Sequence, residues 1–155
     1  MDHPFLEDAF HVHWSRLTPE HVEADISHAI EIAQATIDNL AEDMSAELTF
    51  ENTMLALENA DAKLNVAWGK VGHLNSVKDS KGLREAYNSM LPKVSEFGAK
   101  IPLNEGLWKL IKAYSETEEA QGLTGTRKRY LDETVASFKS SGAGLSPEKK
   151  KRMEE

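Results

Sequence analysis

Between Thr49 and Lys78 the apolar residues Phe50, Met54, Leu57, Leu64, Trp68, Val71 and Leu74 recur at steps of three, four or seven. That spacing puts them along one side of a 3.6-residue helix. Glu58, Asn59, Lys63, Lys70 and Asn75 take the other sides, so the pattern predicts one buried stripe with the rest in water. Thr49 is placed to accept an orphan backbone N–H as N-cap, and Glu51 meets the positive end of the helix dipole. As a single rod of roughly 45 Å, at about 1.5 Å per residue, this helix would cross a small domain and give its neighbours a common packing surface.

The rest of the chain is arranged around it. Residues 1–17 carry neither helical nor two-residue periodicity and read as an irregular arm, docked by Phe5, Leu6, Phe10 and Trp14. Thr18-Pro19-Glu20 joins a cap residue, a proline at the first helical position and an acid in the first turn. The helix it starts carries Val22, Ile26, Ala29, Ile30, Ala33, Ile37 and Leu40 and ends near Asp43. The short link to Thr49 predicts that it and the central helix are antiparallel neighbours.

Asp79-Ser80 ends the central helix, and a third from about Lys81 bears Leu83, Tyr87, Met90, Leu91, Val94, Phe97 and Ile101. Pro92 inside it predicts a kink near Met90 or a break. Asn104 caps a fourth helix with Leu107, Leu110, Ile111 and Tyr114 inward, and Gly122 and Gly125 bracket a turn. Thr126 opens a fifth helix holding Tyr130, Leu131, Val135 and Phe138, which SSGAGL terminates. Ser146-Pro147-Glu148 starts a sixth that the chain's end truncates. The expected fold is all-α, one domain of antiparallel helical hairpins over residues 1–155, with its core in 18–145.

Composition narrows the function classes. Hydrophobic residues make up 40% and charged residues 28%, ordinary for a globular protein, and the absence of cysteine removes disulfides, thiolate ligands and thiol nucleophiles. Neither a secretory leader nor a membrane-length apolar run is evident, so a cytoplasmic protein without membrane attachment is expected. The net charge of −8 argues against a nucleic-acid partner. Charge is uneven: residues 1–126 carry net −11 and residues 127–155 net +3. The basic runs at 127–129 and 149–152 lie in helical sequence and read as solvated faces.

Candidate chemistry is sparse. Histidines stand at 3, 11, 13, 21, 28 and 73, and no two are four apart, so a His-Glu-x-x-His zinc helix is absent. His73, one residue off the central stripe, reads as partly buried with a local hydrogen-bond partner. No Glu precedes a His by three, which excludes the carboxylate pattern of di-iron bundles. Glu7, Glu20, Glu31, Glu51 and Glu58 read as solvated or dipole-facing charges. Trp14, Trp68 and Trp108 read as core residues before stacking platforms. With no glycine-rich phosphate loop and no Gly-x-Ser-x-Gly elbow, no catalytic, cofactor-binding or metal residue is assigned.

Several blocks resemble a known family: Leu17-Thr18-Pro19-Glu20-His21-Val22, Leu48-Thr49-Phe50-Glu51-Asn52-Thr53, Trp68-Gly69-Lys70-Val71-Gly72-His73-Leu74-Asn75, Leu83-Arg84-Glu85-Ala86-Tyr87-Asn88, Leu91-Pro92-Lys93-Val94-Ser95-Glu96-Phe97 and Gly142-Ala143-Gly144-Leu145. In this order they are similar to the amino-terminal region of the oligopeptidase A and thimet oligopeptidase family of zinc metallopeptidases, and the wording is most like that of oligopeptidase A. The resemblance implies a mostly helical enzyme whose two halves flank a deep channel for short peptides, with this region in one wall. The family's zinc helix lies far downstream and none of it is in this chain, so no catalytic or metal residue carries over. The resemblance further implies that the helix opening near Ser146 continues beyond Glu155.

The leading expectation is therefore the non-catalytic, channel-wall domain of such a peptidase, with no cofactor of its own and zinc in the parent enzyme. Its partners would be the remainder of the peptidase chain and, in the whole enzyme, short peptides. Apolar stripes without their usual covering would promote self-association. The alternatives are a stand-alone helical binding or scaffolding protein derived from such an enzyme, and an independent metal-binding bundle.

Overall fold

In a computed structural model describing residues 2–42 and 47–145, every regular element among the described residues is helical. The helices are α1 (Pro19–Glu42), α2 (Ala56–Asn59), α3 (Ala62–Val77), α4 (Lys81–Lys100), α5 (Glu105–Ser115), α6 (Glu118–Gln121) and α7 (Gly125–Ser140). A π turn over Glu51–Leu55 leads into α2, and 3₁₀ turns cover Pro4–Leu6, Trp14–Arg16 and Ile101–Leu103. The described residues fall into two compact units, one of residues 2–36 and 59–98 and one of residues 37–42, 47–58 and 99–145.

In the first unit, α1 buries Val22, Ile26, Ala29 and Ala33, α3 buries Leu64, Ala67, Val71 and Leu74, and α4 buries Leu83, Met90 and Phe97. These are the inward faces that helical periodicity demands. Thr18 starts α1 as expected from its sequence, and a hydrogen bond from the Thr18 side chain, with help from the first-turn backbone, holds the Glu20 carboxyl below its ordinary range. At α4 the Ser80 hydroxyl accepts the Leu83 N–H at 3.2 Å. Helix α4 runs unbroken through Pro92. The carbonyl that proline leaves without a donor is that of Asn88, which is exposed along with Leu91, Pro92 and Lys93, so the missing bond costs little.

The second unit is built on a cluster of Phe50, Met54, Tyr114, Ala120 and Leu131, flanked by Leu48, Leu123, Tyr130 and Val135. Asn104 caps α5, its side chain accepting the Leu107 N–H at 3.0 Å, and Leu107, Leu110, Ile111 and Tyr114 all point inward. The α5 entry is tight: a Cβ on Gly106 would stand 2.7 Å from the Ala41 Cβ and 3.0 Å from the Ala41 carbonyl oxygen. Helix α7 ends in a Schellman motif. Gly142 is left-handed (φ 88°), its N–H donates to Lys139 O at 3.1 Å, and the Ala143 N–H donates to Phe138 O at 3.0 Å. The buried Ala143 and Phe138 supply the accompanying apolar pair. Asn104→Ala should lose about 1 kcal/mol of stability in urea unfolding, the usual worth of such a cap.

The long central helix is corrected. Its start is as predicted, with Thr49 and Asn52 exchanging bonds: the Asn52 N–H donates to Thr49 Oγ1 (3.2 Å) and the Thr49 N–H to Asn52 Oδ1 (2.8 Å). The rod then breaks at Ala60–Asp61, between α2 and α3. Asn59 and Asp61 offer the backbone side-chain alternatives to helical bonding. Between Leu57 and Leu64 the apolar stripe is carried only by the small Ala60. Lys70, assigned to the wet side, is buried. The arm is anchored by Phe5, fully buried, whereas Phe10 is 96% exposed and does not dock it; Trp14, 42% exposed, makes a surface contact with the His73 ring. The fifth helix starts one residue earlier than expected, at Gly125. The predicted start at Ser146-Pro147-Glu148 lies outside the described residues.

Candidate functional site

The most organised polar site lies in the first unit, where the body of the unit grips the arm. Asp25, nearly two turns into α1 on its buried face, is 0% exposed and accepts the Phe5 N–H at 2.8 Å and His3 Nδ1–H at 2.9 Å. Lys70 on α3, 9% exposed, donates from Nζ to the Phe5 carbonyl (3.0 Å) and to the Glu7 carbonyl (2.8 Å). Phe5 is thus held at both backbone groups by side chains of opposite charge while its ring is fully enclosed. Buried charges persist only when their hydrogen-bonding capacity is met, and here the arm's main chain meets it.

Around this clamp the contacts are looser. Arg16 pairs with Glu7 and, at 2.8 Å, with Asp2, and these bonds hold the guanidinium pKa above its ordinary value. The His3 ring stacks on His28 at 4.7 Å. A cavity of about 170 Å³ remains between arm and α3, lined by Phe5, Leu6, Ala62 and Val66 with Glu7, Asp8 and Lys63. The arrangement holds the main chain of a single 3₁₀ turn, Pro4–Leu6. It contains no nucleophile activated by a neighbouring base.

A second concavity, about 340 Å³, belongs to the other unit and is lined by Phe50, Leu55, Glu58, Thr126, Arg127 and Tyr130. Its charges are already engaged: Arg127 lies over the Phe50 ring at 4.5 Å and pairs with Glu51 at 3.0 Å, and Tyr130 donates to Glu58 at 2.8 Å. The basic run continues in the same way, Lys128 pairing with Asp132 and Arg129 with Glu133 at 2.7 Å. The run at 127–129 is a solvated helix face, as read from its sequence, with Lys128 and Arg129 paired along the helix and Arg127 paired to Glu51.

The aromatic and histidine expectations are partly corrected. His73 is exposed, its ring tilted against Trp14 at 5.0 Å. It turns outward because the buried line of α3 runs through Lys70, Val71 and Leu74. Trp68 and Trp108 are half-buried and stack on Tyr87 (4.8 Å) and Phe138 (6.3 Å), while Trp14 lies at the surface. Among the described residues no group of three or more histidines and acids is placed to hold a metal ion.

Tyr114 is the buried polar group that helical periodicity could not distinguish from an apolar one. Its hydroxyl is enclosed with no acceptor at full hydrogen-bond geometry, the Glu119 carboxylate standing near it, and burial, reinforced by the Glu119 and Glu51 carboxylates and opposed by Arg127, pushes the phenol up to about 12. Above the ordinary value of 10.0 the unfolded chain releases a proton that the folded chain keeps. Stability from this group is therefore complete below pH 10 and declines as pH rises toward 12. Thermal melts between pH 9 and 11 should fall more steeply for the native chain than for Tyr114→Phe.

Comparison with known proteins adds a family to this helical fold. The model of the N-terminal domain of the neurolysin/thimet oligopeptidase family matches residues 26–150. The chain belongs to that family. It is 33% identical over 155 residues to oligopeptidase A of Haemophilus influenzae, covering 100% of this chain and 22% of that protein. It is 32% identical over 142 residues to oligopeptidase A of Escherichia coli, covering 92% and 21% respectively. An organellar oligopeptidase A of Arabidopsis thaliana is 25% identical over 150 residues, 97% of this chain and 19% of that protein. The chain thus spans about a fifth of these neurolysin/thimet oligopeptidase relatives. The family match begins at residue 26, so it includes Lys70 but starts just past Asp25 and the arm. Among the described residues no helix is long and apolar enough to cross a membrane.

Proposed function

We propose that this chain is the non-catalytic helical domain of an oligopeptidase A-like zinc peptidase of the cytoplasm, one that hydrolyses short peptides, and that the domain helps to wall the channel they enter. The match of residues 26–150 to the N-terminal domain of the family carries this reading. Its partner is then the remainder of the peptidase chain, and Leu55, Val66, Val77 and Leu103, all exposed here, give that remainder apolar surface to cover.

In such an enzyme zinc would polarise the scissile carbonyl and activate water, using residues outside this chain. The residues present do not suit the metal: His-Glu-x-x-His is absent from the sequence, and a zinc site requires three or four converging ligands. Calorimetric titration with zinc should therefore show no stoichiometric site. A 1:1 site of micromolar or tighter affinity would overturn the assignment and favour an independent metal-binding bundle.

A further inference from the structure

The arm is fixed on both sides of a short stretch that nothing holds. On one side Asp25 accepts the Phe5 N–H, Lys70 donates to the Phe5 and Glu7 carbonyls, and the Phe5 ring is 0% exposed. On the other, the Trp14–Arg16 3₁₀ turn, the Trp14 contact with His73 and the buried Leu17 tie the chain down. Between these anchors Asp8, Ala9, Phe10 and His11 are exposed, and among the described residues their main-chain groups make no hydrogen bond. Phe10 is 96% exposed, its ring meeting that of His11 at 4.9 Å between centroids.

We propose that the Phe10–His11 bond is a cleavage site for an endopeptidase with an apolar primary pocket, and that the cut chain keeps the segment up to Phe10 as a bound peptide. An endopeptidase must draw its substrate's main chain into an extended line and enclose the side chain that precedes the bond. Backbone hydrogen bonding and burial therefore decide where it cuts. Around Phe10 neither stands in the way. The other exposed large apolar residues lie in main chain already committed to turns or helices: Trp14 and Leu103 in 3₁₀ turns, Leu55 in the π turn, and Val66, Val77 and Leu91 in α3 and α4. Cutting there first requires local unfolding. Hydrolysis adds water across the Phe10–His11 amide, leaving a carboxylate on Phe10 and an α-amine on His11. Both new charges form in water, where they meet no desolvation penalty.

Every contact of the clamp lies before the cut, so cleavage leaves all of them in place. Arg16 also reaches back across the cut to Asp2 and Glu7, through exposed pairs that stabilise little. What the cut removes is the covalent link, which makes seating of the arm an intramolecular event. A segment that was permanently present becomes one whose occupancy depends on concentration. Its departure would leave the Asp25 carboxylate and the Lys70 ammonium enclosed without their partners, which favours retention. This inference rests on the arm and its clamp and is independent of the peptidase assignment.

The test is brief digestion of the full chain with a trace of chymotrypsin, read by intact mass and by gel filtration at micromolar concentration. Cleavage after Phe10 should be roughly tenfold or more faster than after Trp14, Leu55, Leu91 or Leu103, and both pieces should elute in one peak. Phe10→Ala should remove the early cut. Phe5→Ala should still be cut after Phe10 but should release the segment, its affinity lowered by roughly tenfold or more. A faster cut after any of those four residues, early cleavage indifferent to Phe10→Ala, or elution of the native segment apart from the body would each overturn the proposal.

Discussion

Asp25→Ala is expected to lower the unfolding free energy by about 3–5 kcal/mol, the cost of breaking a buried charged network by removing one partner. The carboxylate is fully enclosed, and its loss leaves the Phe5 N–H and His3 without their acceptor. Lys70 would then remain buried without the opposite charge that shares Phe5 with it. Asp25→Asn retains an acceptor but not the charge, and should fall between the native chain and Asp25→Ala. Urea unfolding checks both. A loss below about 1 kcal/mol for Asp25→Ala would mean that water replaces the arm at no cost, contrary to the burial seen.

Tyr114→Ala is expected to cost a similar 3–5 kcal/mol, the range for emptying an aromatic site in a packed core. Its ring meets Phe50, Met54, Ala120 and Leu131 in the second unit, elements brought together from three stretches of the chain. Tyr114→Phe separates ring from hydroxyl. Because the hydroxyl is buried with no acceptor at full hydrogen-bond geometry, phenylalanine should be neutral or more stable by about 1 kcal/mol. If Tyr114→Phe instead destabilises by more than that, the hydroxyl donates to the nearby Glu119 carboxylate in solution.

Much of the helical framework was legible because periodicity and capping are local. The caps of Asn104 and Thr49 form as expected, and SSGAGL ends α7 as read, through bonds at Gly142 and Ala143 that the sequence reading did not specify. The family blocks lie on those same helices. What was not legible depends on residues distant in sequence. The clamp joins positions 22 and 65 residues apart, and nothing near Lys70 marks it as different from Lys63, which does face water. Asp25 gave a faint signal, an acid immediately before Ile26 on the buried side of α1. The break at Ala60–Asp61 was visible in the Asn-Ala-Asp sequence, but the regular spacing on either side of it outweighed that signal. Phe10 was misjudged because an aromatic residue in an arm reads as an anchor, whereas Phe5 alone fills the socket.

A helical domain of a peptidase whose catalytic groups lie elsewhere should hydrolyse no peptide by itself. Incubating the purified chain with a short fluorogenic peptide and added zinc measures this directly. The expected result is no turnover above the peptide's spontaneous hydrolysis. Turnover that persists through rigorous purification and disappears with a chelator would contradict it.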